Sequence, residues 1–119
     1  MKKIGIICEY NPFHNGHLYH IKKIKEMFPE STIILVMSGN FTQRGDVALF
    51  DKWTRAEMAL KNGIDLVIEL PTVYATSSAE NFADGAVKIL NSLGIIDYLA
   101  FGSECGDITL LDKIASILY

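Results

Sequence analysis

Four short apolar runs divide the chain, and each is followed by a segment of helical period. The runs are Ile4 to Cys8, Thr32 to Met37, Leu66 to Leu70 and Tyr98 to Phe101. They barely alternate, and Thr32 to Met37 is rich in β-branched residues, as strands buried on both faces are. Between the first two, Leu18, Ile21, Ile24 and Phe28 recur at three- to four-residue steps, one face of a helix from Gly16 to Phe28 that Pro29 stops. Asp51 is placed to cap a helix over Lys52 to Asn62, with an inner stripe of Trp53, Ala56, Ala59 or Leu60. Gly63 sits where a left-handed residue closes that helix. Ser77 and Glu80 have capping-box spacing ahead of a helix with Ala79, Phe82, Ala83, Ala86, Val87 and Leu90 on one side, ended by Gly94. Asp107 reads as the cap of a last helix through Leu111, Ile114, Ala115 and Leu118. The order βαβαβαβα forces parallel strands, right-handed crossovers and helices on both faces. The expected fold class is α/β, with ligands at the carboxyl ends of the strands.

A chain of 119 residues is long enough for one domain with its own core. No apolar run approaches the roughly 20 residues that a membrane helix needs, and the stretch after Lys2 and Lys3 is too short for a signal-peptide core. Cys8 and Cys105 are isolated, which fits a reducing cytoplasm better than a disulfide framework. A net charge of −3 argues against bulk electrostatic capture of nucleic acid, and no DNA partner is expected. The chain closes at Tyr119 within or just after an amphipathic segment. That fits a domain stopping at its last helix as well as the front portion of a longer protein.

The chemistry concentrates after the first strand, in Glu9-Tyr10-Asn11-Pro12-Phe13-His14-Asn15-Gly16-His17. His14 and His17 are three residues apart at a helix entry, so both imidazoles can address one spot. Free N–H groups and the helix dipole favour an anion there. Gly16 lets a ligand approach the backbone, and Pro12 stiffens the turn. Two imidazoles on a helix N-terminus suit a phosphate, and fixed donors there stabilise charge in phosphoryl or nucleotidyl transfer. His20 continues the series as a supporting or solvent-facing residue. No Cys or carboxylate lies at ligand spacing, so no metal site is assigned. Cys8 has no activating partner and reads as packing.

The long segment Ser38 to Phe50 follows the second strand at the same end of the sheet. Ser38, Asn40 and Arg44 are candidate ligand contacts there, Arg44 by forking onto a carboxylate or phosphate, with an exposed loop arginine as the alternative. Lys52 and Arg55 read as a solvated helix face in preference to pyrophosphate or RNA ligands. Thr76, Ser77 and Ser78 read as capping groups, and Glu104 either binds ribose hydroxyls or faces water. Trp53, Phe82 and Phe101 are expected in the core.

NPFHNGH resembles the HxGH signature of the nucleotidylyltransferase superfamily. Cys8-Glu9-Tyr10 replaces the Gly-Ser-Phe or Gly-Thr-Phe usual before it in nicotinamide-mononucleotide and pantetheine-phosphate adenylyltransferases. With Met37-Ser38-Gly39-Asn40-Phe41-Thr42-Gln43-Arg44-Gly45 and Phe101-Gly102-Ser103-Glu104, the whole chain resembles the N-terminal domain of the tRNA(Met) cytidine acetate ligase family. The resemblance implies a Rossmann-like (HUP-type) nucleotidylyltransferase fold, with residues 1–119 as the ATP-binding domain of a longer protein.

It also implies a reaction. ATP activates acetate to acetyl-adenylate, and the acetyl group passes to N4 of the wobble cytidine of elongator tRNA(Met), in the cytoplasm. His14 and His17 would be catalytic, meeting the phosphates. The ATP-binding stretch would comprise Ile7, Cys8, Glu9, Tyr10, Asn11, Pro12, Phe13, His14, Asn15, Gly16, His17, Leu18, Tyr19 and His20, with Gly102 beneath the adenosine. Mg2+ would bridge the phosphates. Further ATP contacts, an Asn and an Arg, and the tRNA-binding surface would lie beyond Tyr119, so this segment alone is expected to have weak activity or none. The alternative is an adenylyltransferase acting on a phosphorylated metabolite of the nicotinamide-mononucleotide or pantetheine-phosphate type.

Overall fold

Short apolar runs produce a central sheet in the computed structural model, which describes residues 1–11, 13–42, 45–76, 78–102 and 108–111. The elements are β1 (Lys3–Ile7), α1 (Asn15–Met27), β2 (Thr32–Ser38), α2 (Lys52–Lys61), β3 (Leu66–Leu70), α3 (Thr72–Ala75), α4 (Ala79–Ser92), β4 (Tyr98–Gly102) and β5 (Ile108–Leu111). The strand order is β3-β2-β1-β4-β5. β1 pairs parallel with β2 on one side and β4 on the other, and β2 pairs parallel with β3. The chain winds outward from β1 to β3, then returns to β1's other edge. The switch in strand order therefore falls at the carboxyl end of β1, where an open α/β sheet leaves its crevice.

The pleat sorts the core into two layers. On β2, Ile33, Leu35 and Met37 join Ile4 and Ile6 of β1, Ile21 and Ile24 of α1 and Ala59 of α2. Ile34 and Val36 face the opposite way, onto Ala75 of α3 and Phe82, Ala86, Val87 and Leu90 of α4. Both faces of the sheet are thus covered by helices, the expected α/β architecture. Gly5 on central β1 permits this: a Cβ there would lie 2.8 Å from Leu90 Cδ1. At the amino ends of the strands two aspartates do the same work. The Asp65 carboxylate accepts from Ile33 N (2.8 Å) while its own N–H donates to Ile33 O (2.9 Å). Asp97 makes the same pair with Lys3, at 2.8 Å in each direction. Among the described residues no helix is long and apolar enough to cross a membrane.

Several local expectations change. Residues 108–111, expected in a last helix, form β5, antiparallel to β4. An Ile-Thr-Leu-Leu run suits either period, and the open edge of β4 supplied a partner. The remainder of that helix and its Asp107 cap lie outside the described residues. The helix after β3 is capped by Ser78, whose hydroxyl accepts from Asn81 N at 3.2 Å; Ser77 lies outside the described residues. A short helix, α3, precedes it. The inner stripe of α2 is also different. Trp53 is 75% exposed and Leu60 48%, whereas Ala59 and Arg55 are fully buried. Gly63 and Gly94 have the left-handed φ their positions imply, +114° and +70°.

Candidate functional site

The turn between β1 and α1 sits at the switch point. Its first unusual residue is Tyr10, at φ 51° although not glycine, and buried to 1% exposure. Such a backbone persists only where the surroundings fix it. Here the ring packs edge-on against Phe13 (4.9 Å between centroids) and tilted against His17 (4.5 Å). Burial pushes the Tyr10 phenol well above its ordinary range, with the neighbouring Cys8 adding to it. Its hydroxyl has no hydrogen-bond partner among the described residues. Tyr10 is thus an apolar plug under the histidines.

His14 is the N-cap of α1, in extended backbone, with Nδ1 accepting from Gly16 N at 3.0 Å. His17 Nδ1 in turn accepts from His14 N at 3.1 Å. This is a capping box built from two imidazoles. The rings stack with centroids 3.8 Å apart and 24° between planes. Because each Nδ1 is an acceptor, each neutral ring carries its proton on Nε2. The pair therefore offers two Nε2–H donors beside the free N–H groups of a helix start. Gly16 has a second reason to be glycine: a Cβ would lie 2.8 Å from the His14 ring. The His17 pKa is lowered to about 4, by burial first, then by His14 and His20. His17 is neutral at pH 7.

The rest of the expected nucleotide stretch divides by depth. Ile7, Cys8, Glu9, Asn11, Phe13 and Leu18 are half-buried, while Asn15 and Tyr19 are exposed. His20, expected in a supporting or solvent-facing role, is only 6% exposed, so it belongs to the underside of α1. Burial raises the Cys8 thiol to about 11, which leaves it protonated and unreactive. Asn11 Oδ1 accepts from Leu49 N at 2.8 Å, tying the turn to the loop after β2. Gly102 ends β4, the strand beside β1. Pro12, Arg44 and Glu104 lie outside the described residues.

The loop after β2 doubles back as a small hairpin, with Phe41 bridged to Val47, Thr42 N on Asp46 O (2.8 Å) and Ala48 N on Asn40 O (2.9 Å). Asn40 Oδ1 accepts from Lys52 N at 2.8 Å, which fixes the orientation of its amide. Ser38 is fully buried, with no partner on its hydroxyl among the described residues. In this arrangement it lies too deep to meet an acid arriving from solvent. Lys52 pairs with Glu69 at 2.7 Å.

Arg55 was not foreseen as part of this region. It is 0% exposed and donates from Nε to Phe50 O (3.1 Å), from Nη1 to Glu9 O (2.6 Å) and from Nη2 to Gly39 O. Burial lowers its pKa, opposed by the charges of Glu9, Asp51 and Glu69. A guanidinium nonetheless stays charged in a protein. Nothing local in the sequence signals this, because its three acceptors come from separate segments.

A family profile described as HIGH Nucleotidyl Transferase matches residues 1–119. A curated relative named tRNA(Met) cytidine acetate ligase, from Caldanaerobacter subterraneus subsp. tengcongensis, is 64% identical over 118 residues, 99% of this chain and 29% of its own length. One of the same name from Thermoanaerobacter sp. strain X514 is 66% identical over 115 residues, 97% of this chain and 29% of its own. The crystal structure of Thermotoga maritima TmcAL bound with alpha-thio ATP superposes with a TM-score of 0.83 at 52% identity, over 90% of this chain and 26% of that one. The chain thus spans under a third of the length of the curated relatives it matches.

Proposed function

Because the chain belongs to the HIGH nucleotidyl transferase family, we propose that residues 1–119 are the ATP-binding unit of a longer tRNA(Met) cytidine acetate ligase. The stacked His14–His17 pair at the α1 N-terminus carries this reading, since it offers a triphosphate two Nε2–H donors and the helix dipole together. The names of the relatives supply the substrate class. The site residues would be those from Ile7 to His20 with Gly102, around a nucleotide lying across the carboxyl ends of β1 and β4.

An acetate oxygen attacks the α-phosphorus in line, the bond to the bridging β-phosphate oxygen breaks, and pyrophosphate leaves. The two imidazoles hold the charge that builds on the phosphate oxygens. The cytidine N4 then attacks the acetyl carbon, AMP departs with the bonding pair, and N4 releases a proton. Among the described residues no group of three or more His, Cys, Asp or Glu could hold a metal ion. Mg2+ would accompany the ATP and offset phosphate charge beside the imidazoles and the backbone N–H groups of this turn. Acetate would be met by the Asn40 amide and Arg44. Elongator tRNA(Met) would be gripped mainly by regions outside this chain, and the reaction belongs in the cytoplasm with its ATP and tRNA.

The test is exchange of labelled pyrophosphate into ATP by the full-length protein. Exchange that requires acetate supports the ligase. Exchange that instead requires a phosphorylated metabolite replaces it with a plain adenylyltransferase.

A further inference from the structure

The Glu9 carbonyl belongs to the peptide that joins Glu9 to Tyr10, and rotation away from that plane is the left-handed φ of Tyr10. Arg55 Nη1 holds that carbonyl. Its Nη2 holds the Gly39 carbonyl just past β2, the strand paired with β1, and its Nε holds Phe50 at the far end of the β2–α2 loop. One side chain thus clamps the carboxyl ends of two adjacent strands and both ends of the loop between them. A planar fork of fixed donors is the group that can do this; an ammonium is a point charge and cannot span three carbonyls in one plane.

We propose that Arg55 is a positioning residue for the nucleotide site: it locks the Glu9–Tyr10 peptide and so sets the turn that brings His14 and His17 together. This rests on reading the turn as nucleotide-binding. The link from clamp to histidines is short. Arg55 fixes the peptide, the peptide fixes Tyr10, and the Tyr10 ring supports His17 at 4.5 Å. Hiding a guanidinium is costly unless its donors are satisfied, and here three carbonyls accept from it while the charges of Glu9, Asp51 and Glu69 favour its charged form. A residue needed only to fill volume at this place would be apolar.

The experiment uses the full-length protein with Arg55→Lys and, as an uncharged filler of similar length, Arg55→Met. Two quantities are measured: the dissociation constant for ATP by calorimetry, and the titration of the His17 ring by NMR. The expected result is a folded sheet, ATP binding weakened about tenfold or more, and a His17 pKa climbing from about 4 toward the ordinary 6.5 as its packing loosens. Recovery of ATP binding by methylguanidinium added to Arg55→Ala would give further support. Unchanged ATP affinity with His17 still titrating near 4 in Arg55→Lys overturns the proposal. Loss of the folded sheet in both variants also overturns it, since Arg55 would then be a core residue. Neither readout needs acetate or tRNA. A parent protein that binds ATP without acetate-dependent exchange sinks the ligase reading, and the same two measurements still decide the role of Arg55.

Discussion

His14 and His17 lie ring on ring at 3.8 Å, each spending Nδ1 on a backbone N–H within the same helix start. The cap and the proposed anion site are thus made from the same two side chains, and substitutions can separate the two roles. Asparagine can accept the Gly16 N–H but offers no imidazole donor. His14→Asn should keep the thermal stability of the parent, while His14→Ala should lose about 0.5–2 kcal/mol with the cap. Both should lose about 100-fold or more in pyrophosphate exchange. Thermal melts alongside exchange assays check this; an active His14→Asn would show that the ring is not the working group.

The depressed pKa of His17 makes stability depend on pH with a definite sign. Unfolded, the ring titrates near 6.5; folded, near 4. Between these values the unfolded chain binds the extra proton, so acid favours unfolding there. Stability should be flat above about pH 6.5, decline as pH falls toward 4, and lose this dependence in His17→Gln. The decline is modest because the ring is half-exposed. Denaturant midpoints across that range measure it.

Gly5 and Leu90 form a second testable pair. Gly5→Ala drives a methyl to within 2.8 Å of Leu90 Cδ1 and should cost about 1–3 kcal/mol. Leu90→Ala opens a cavity in the α4 layer and should cost about 2–5 kcal/mol. In the double variant the added methyl enters the space the leucine left, so the total should fall short of the sum by about 0.5–3 kcal/mol. Urea denaturation of the three variants gives the coupling directly.

Asp65 and Asp97 each accept from the first residues of a neighbouring strand. Asp65→Ala and Asp97→Ala should each destabilise by about 1.5–3 kcal/mol, the worth of a hydrogen bond to a charged group. ATP affinity should stay at the parent value, because both lie at the end of the sheet remote from the turn. Calorimetry on the folded variants tests that separation.

The sequence made the four parallel strands and their helices legible because apolar runs of this length stand out against amphipathic segments. β1 and β2 do hide both faces, whereas β3, expected to be buried on both, lies at the sheet edge with Leu66 and Glu69 exposed. The His14–His17 pair was legible because its chemistry is local, two rings and a glycine in four residues. Arg55 was not, since charged residues on a helix are ordinarily assigned to water and its acceptors are spread over Glu9, Gly39 and Phe50. Trp53 misled for the converse reason. Its hydrophobicity suggested the core, but the phase of α2 is set by Arg55 and Ala59, one turn apart on the buried side. The 108–111 run was ambiguous in period, and only the unpaired edge of β4 decided it.

The matched aspartates at the amino ends of the strands anchor the framework from below, away from every loop that would touch a nucleotide or an acid. Variation can therefore accumulate in the β2–α2 hairpin without loosening the foundation. A scaffold divided this way can take up new ligand specificities, and directed evolution of this domain would do best to randomise the β2–α2 loop between its Arg55-held ends, sparing the His14–His17 turn, and leave Asp65 and Asp97 alone.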